Sequence, residues 1–285
     1  MRGVLLRLFL ALYRLFRGKG LSRLSSMAMW WYKVLQPSGV WRVKCLDIVV
    51  ESERGYSNDV LRGLILNDYH QKFEMDLFRR VIRAGDVVVD VGTNIGSYAL
   101  VASRLVGEKG KVFAFEPVPS TYRLLMQNIH LNGFTNIQAE PCAVTNWNGH
   151  TLLYVDDELP TEAALFNGNH RKPIEVKTLM LDSISSGGRL DILKMDAEGA
   201  EGLVLAGASR LLQANPQMKI FTEFSVQMMM AVDYDPLEFL SDLTKAGFRL
   251  FYINETRRRL EPYEVRQIYD LARNAGVHLY CERPQ

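Results

Sequence analysis

The sequence predicts an α/β protein: an open, mostly parallel sheet covered by helices on both faces, preceded by a basic N-terminal helical arm. Three observations carry this. From residue 85 onward, short and continuously apolar runs alternate with longer runs of helical spacing. That is the pattern of strands buried on both faces and joined by crossover helices. Glycine or an acid follows several of the short runs, where a parallel sheet places its ligands. The first 46 residues carry nine Lys or Arg and no acid, whereas residues 47–285 carry 25 basic and 32 acidic side chains.

In chain order, Val4 to Phe16 is apolar except for Arg7 and Arg14, which with Arg17 share one side of a helix. This suits a helix lying in a headgroup layer, so residues 1–33 point to peripheral contact with an anionic membrane. A helix docked on the domain, a transit peptide and a signal peptide are the competing readings. No run of about 18 uncharged apolar residues spans a bilayer. The arm is assigned to residues 1–46 and the folded domain to 47–285, with 47–84 as a cover and 85–285 as the core. Within the cover, 41–50 reads as one strand and 68–83 as a helix stopped near Gly85.

The core then reads strand 86–90, helix 95–106 ended by Gly107, strand 111–115, helix 120–132 ended by Gly133, and a strand from 136. Two paired strands, 151–155 and 174–181, flank a polar loop over 156–172. Alternation resumes with strand 190–195, helix 200–213, strand 218–223, helix 236–246 and strand 248–253. A helix over about 262–274 and strand 277–281 end the chain.

Composition excludes several classes. At 285 residues, 48% hydrophobic and a formal net charge of +2, the chain is neither disordered nor collagen-like. Cys45, Cys142 and Cys281 have no CxxC partner and make an odd number, which points to free thiols in a reducing, cytoplasmic space and to no thiolate metal site. An acidic body does not suit a broad nucleic-acid face.

The chemistry concentrates at three strand ends. Asp90-Val-Gly92-Thr93-Asn94-Ile-Gly96 follows the first core strand, with Gly92 turning off the strand and Gly96 letting the next helix pack closely. Glu116 ends the next strand, where a carboxylate can accept both hydroxyls of a ribose. A dinucleotide loop wants G-x-G-x-x-G, but Asn94 stands where its second glycine would be. An acid at the entrance suits a ligand with an ammonium and a sulfonium, such as S-adenosyl-L-methionine. The third stretch is Lys194-Met-Asp196-Ala-Glu198-Gly-Ala-Glu201.

These blocks (VVDVGTNIGSYAL, GKVFAFEPVPSTYRLLMQNIHLNG and DILKMDAEGAE) resemble the FkbM-type S-adenosylmethionine-dependent methyltransferases over roughly residues 72–224. The resemblance implies a Rossmann-like class I fold whose seven-stranded sheet takes its final strand antiparallel. It also implies methyl transfer to a hydroxyl of a sugar, glycan or other small molecule. By position, Gly92, Thr93, Asn94 and Gly96 hold the methionine part of the cofactor, Glu116 the ribose, and Cys142 and Ala143 lie near the adenine.

A hydroxyl acceptor must lose its proton, so a carboxylate or imidazole is wanted as base. Asp196, Glu198 and Glu223 sit at strand ends on the expected edge. Asp196 comes first, as base or cofactor ligand; Glu198 can instead cap the following helix. His170 in the polar loop is a further candidate, whereas His278 shows no ligand spacing. Nothing in the spacing demands a metal. A nicotinamide oxidoreductase and a non-catalytic cofactor-binding module at a membrane are the alternatives.

Overall fold

The computed structural model describes residues 40–53, 71–156, 163–167, 171–184 and 188–284. The predicted arm helix lies outside these residues, as does His170.

The described residues start with β1 (Val40–Cys45) and β2 (Ile48–Glu53), an antiparallel hairpin where the sequence reads one strand. Leu46 and Asp47 both take positive φ (48° and 63°), which makes the tight two-residue turn that a run of hydrophobicity does not reveal. Asn128 and Asn132 pin the hairpin from outside: they accept from the Glu51 and Val49 N–H groups at 2.6 and 2.8 Å.

Next come α1 (Lys72–Val81), β3 (Val87–Val91), α2 (Ser97–Val106), β4 (Lys111–Phe115), α3 (Pro119–Leu131) and β5 (Ile137–Glu140). The predicted pair of strands is β7 (Gly149–Asp156) and β8 (Arg171–Leu179), and β6 (Cys142–Val144) joins β8 in a separate three-stranded sheet. The core resumes with β9 (Ile192–Met195), α4 (Glu201–Ala206), α5 (Ser209–Ala214), β10 (Lys219–Phe224), α6 (Val226–Ala231) and α7 (Pro236–Lys245). It ends with β11 (Arg249–Asn254), β12 (Arg259–Pro262), α8 (Val265–Ala272) and β13 (Val277–Glu282).

The main sheet runs β12-β11-β13-β10-β9-β3-β4-β5. Seven of its strands form the expected doubly wound sheet, with β13 inserted antiparallel between β10 and β11. The eighth, β12, is an edge strand that the sequence does not show, because its four residues carry neither an apolar run nor alternation. One predicted helix, 200–213, is two: the chain turns at Gly207, where a Cβ would overlap the carbonyl oxygen of Thr145.

Strand parity divides the core. Val89, Phe113, Leu193 and Ile220 face α4, α5 and α7 through Val204, Leu211 and Phe239. Val88, Val112, Ile192, Phe221 and Tyr280 face α1, α2 and α3 through Phe78, Leu100 and Leu124, beneath Ile48 and Val50 of β2. The sheet is covered on both faces, which is why its strands read as continuous apolar runs.

Candidate active site

The same parity builds the site. Asp90 on β3 is the register partner of Lys194 on β9, and Glu223 on β10 that of His278 on β13. Each stands two residues from Val88, Ile192, Phe221 or Tyr280, so all four turn toward the α1 and α2 face. Because β13 runs against its neighbours, its first residues reach the carboxyl edge of the parallel strands. A cavity of about 400 Å³ opens there, and all four side chains line it.

One half of the cavity is built by the glycine loop. Gly92 (φ 73°) leaves β3 so close to the end of β9 that a Cβ would overlap the carbonyl oxygen of Asp196. The N–H groups of Gly92 and Thr93 both donate to the Phe115 carbonyl at 3.0 Å. Thr93 Oγ1 donates to the Asp90 carbonyl at 2.7 Å and accepts from the Phe115 N–H at 3.1 Å, so its hydroxyl braces two strand ends. Asn94 is left-handed (φ 56°), which aims its N–H at Glu116 Oε2, 2.9 Å away, while Val118 donates to Oε1 at 2.9 Å. At Gly96 a Cβ would stand 2.8 Å from Leu125 Cδ1, so glycine brings α2 against α3.

Two polar atoms in this half are buried without a hydrogen-bond partner among the described residues: Asp90 Oδ2 and Ser97 Oγ. Burial, opposed by Lys194, pushes the Asp90 pKa up to about 7. Burial, opposed by the two backbone N–H groups, pushes Glu116 up to about 7 as well. Beyond Glu116 the wall is apolar: Val118, Cys142, Ala143, Leu153 and Leu165, the last two from the insertion. Burial pushes the Cys142 thiol up to about 12, so it serves as wall and not as nucleophile.

The other half is a charge network. Lys194 is 1% exposed; its Nζ lies 3.5 Å from Asp196 Oδ2 and 3.7 Å from Glu74 Oε1. Glu74, on α1, is fully buried, and its Oε2 stands 3.0 Å from His278 Nδ1. Burial lowers the Lys194 pKa, but the carboxylates of Asp196, Glu74 and Asp90 outweigh it and the ammonium stays charged. Burial also works against a charged His278, yet Glu74 carries its pKa up to about 9. Asp196 and Glu223 are hydrogen-bonded to each other. Burial raises both, but Lys194 and His278 hold Asp196 below the usual range. Glu223 is raised by burial and then by the charge of Asp196, so the pair keeps one proton on Glu223.

The turn after β9 brings in the rest of the third motif. Glu198 (φ 52°) and Gly199 (φ 97°) are left-handed in succession, and Glu198 lines the cavity. The N-cap of α4 is Ala200, two residues further on. Glu201 holds this turn by accepting the Ala197 N–H at 2.7 Å.

A buried carboxylate oxygen with no partner, a glutamate braced by two N–H groups and an apolar slot now stand along one cavity. The profile of the methyltransferase FkbM domain matches residues 90–250, more than half of the chain. The chain belongs to the FkbM methyltransferase family. Among its relatives, Methyltransferase 1 of Beauveria bassiana is 29% identical over 143 residues, covering 42% of this chain and 57% of that protein. The hexuronic acid methyltransferase AglP of Haloferax volcanii is 30% identical over 151 residues, covering 50% and 59%. Methyltransferase sdnD of Sordaria araneosa is 29% identical over 154 residues, covering 42% and 59%. The chain thus spans less than two thirds of the length of these relatives.

The FkbM match contains Asp90, Gly92, Thr93, Asn94, Gly96, Glu116, Cys142, Ala143, Asp196, Glu198 and Glu223, and all but Gly96 line the one cavity. Gln71, Glu74 and His278 lie outside it, and sequence reasoning missed all three. Glu74 reads as a surface acid in a helix, and His278 as the start of a last strand. A usable signal existed at Lys194, a charged residue inside the buried strand Ile-Leu-Lys-Met.

Proposed function

We propose that this protein transfers a methyl group from S-adenosyl-L-methionine to a hydroxyl of a sugar, glycan or related small molecule. The observation that carries the reading is Asp90 Oδ2, a buried carboxylate oxygen without a partner, beside Glu116 in an FkbM methyltransferase. The lining fits that cofactor: Asp90 balances its cationic end, Ser97 Oγ offers a polar contact, and Glu116 accepts the ribose hydroxyls. The slot of Val118, Ala143, Leu153 and Leu165 takes the flat base. Bound there, the cofactor supplies a methyl group on a positively charged sulfur.

The chain's own part is alignment and proton handling. Positioning alone supplies roughly 7–11 kcal/mol of such a barrier. The acceptor oxygen gains the methyl group and loses its proton to the Asp196–Glu223 pair, which passes it to solvent. Glu223 in its ionised form is the base, because a base titrating near the working pH is the efficient one. Calorimetric titration with S-adenosylhomocysteine tests the reading. Wild type should bind, and Asp90→Asn and Glu116→Ala should lose at least tenfold in affinity while staying folded; normal binding by either variant refutes the assignment.

The nine basic residues of the first 46 support a second element of the proposal: residues 1–33 contact an anionic membrane, and the acceptor is lipid-linked or made at that surface. No helix among the described residues is long and apolar enough to cross a membrane.

A further inference from the structure

We propose that Gln71 reads the acceptor: its amide, held by His278 and Tyr98, binds a saccharide hydroxyl next to the one that is methylated. This rests on the methyltransferase reading and adds the group that selects the substrate.

Gln71 is the N-cap residue of α1, yet its side chain does not cap the helix. It is left-handed at φ 51°, a conformation that a glutamine adopts at a cost. Capping is done instead from across the fold: Glu255, on the turn between β11 and β12, accepts the Phe73 and Glu74 N–H groups at 2.9 and 2.7 Å. That releases the Gln71 side chain to line the cavity. There one end of its amide lies 2.7 Å from His278 Nε2 and the other 3.2 Å from the Tyr98 hydroxyl.

With His278 charged by Glu74, Nε2 is a donor. The amide therefore turns its oxygen toward His278 and its nitrogen toward Tyr98, an orientation of the same shape. An amide has two N–H donors and two oxygen lone pairs. Among the described residues His278 and Tyr98 take one of each, which leaves one donor and one acceptor on the same amide. Such a pair matches a hydroxyl group, or two neighbouring ones, and suits a polyhydroxylated acceptor better than an apolar one. His278 is then a positioning residue, which acts through Gln71.

The test uses the full chain loaded with S-adenosylhomocysteine, with methyl β-D-glucopyranoside and methyl β-D-glucuronopyranoside as probes. The readout is the Gln71 side-chain amide resonance, assigned by its loss in Gln71→Ala. At least one glycoside should move that resonance, and which one does so separates a neutral from an acidic sugar. Gln71→Ala should weaken that glycoside about tenfold, the size expected for losing one or two such hydrogen bonds, and leave S-adenosylhomocysteine affinity unchanged. His278→Gln should displace the Gln71 resonance before any glycoside is added, and the double variant should bind no worse than Gln71→Ala. If neither glycoside moves the resonance, or Gln71→Ala binds as wild type does, the proposal is overturned. Failure of wild type to bind S-adenosylhomocysteine removes the methyltransferase reading and this one with it.

Discussion

Burial raises the pKa of Asp90 from 3.8 to about 7, so between those values the folded protein holds a proton that the unfolded chain has released. Stability therefore falls as pH rises through that window. Asp90→Asn removes the cost, and the unliganded variant should be more stable than wild type at pH 8 by on the order of 1 kcal/mol, measured by calorimetry. The same substitution should weaken S-adenosylhomocysteine binding at least tenfold, so stability and function part at a single atom. Glu223 gives the kinetic counterpart. Its pKa, pushed up to about 8 by burial and by Asp196, predicts that methyl transfer rises with pH through that value. Glu223→Gln should lose both the rising limb and most of the rate; an unchanged limb assigns the proton to another group.

Among the elements, the turn into β13 matters most for the chemistry. A Cβ on Gly276 would stand 2.6 Å from Glu223 Oε1, the movable end of a side chain. Gly276→Ala should accordingly keep the melting temperature close to wild type while lowering kcat. Gly92→Ala has no such relief, since its Cβ meets the backbone of Asp196. It should destabilise by roughly 3 kcal/mol or more, seen as a shifted denaturant midpoint. The glycine loop and Glu116 were legible in the sequence because each stands at the end of a short, continuously apolar strand. Of the charge network, Asp196 and Glu223 were legible as strand-end acids, but their partners were not. Glu74, Lys194 and His278 come from a cover helix, a buried strand and the start of a reversed strand, and only the antiparallel insertion of β13 brings them to one edge. The β1–β2 turn and the break at Gly207 were hidden for a similar reason, since positive φ values and a neighbouring carbonyl leave no mark on hydrophobic periodicity.

Across the molecule, charge is divided between a basic first 46 residues and a body of net charge −7. The acidic body is repelled by an anionic surface, so any attachment must come through the arm. The full chain should therefore sediment with anionic vesicles and lose that affinity with added salt, while a chain starting at residue 34 should stay in the supernatant. Equal sedimentation of the two would remove membrane contact from the proposal. The hairpin of β11 and the edge strand β12 joins distant parts in another way. Glu255, at its tip, anchors the helix that presents Gln71. Under the proposed role of Gln71, changes in that outlying loop would retune acceptor selectivity and spare the methyl donor's seat, giving evolution a dial well away from the reacting atoms.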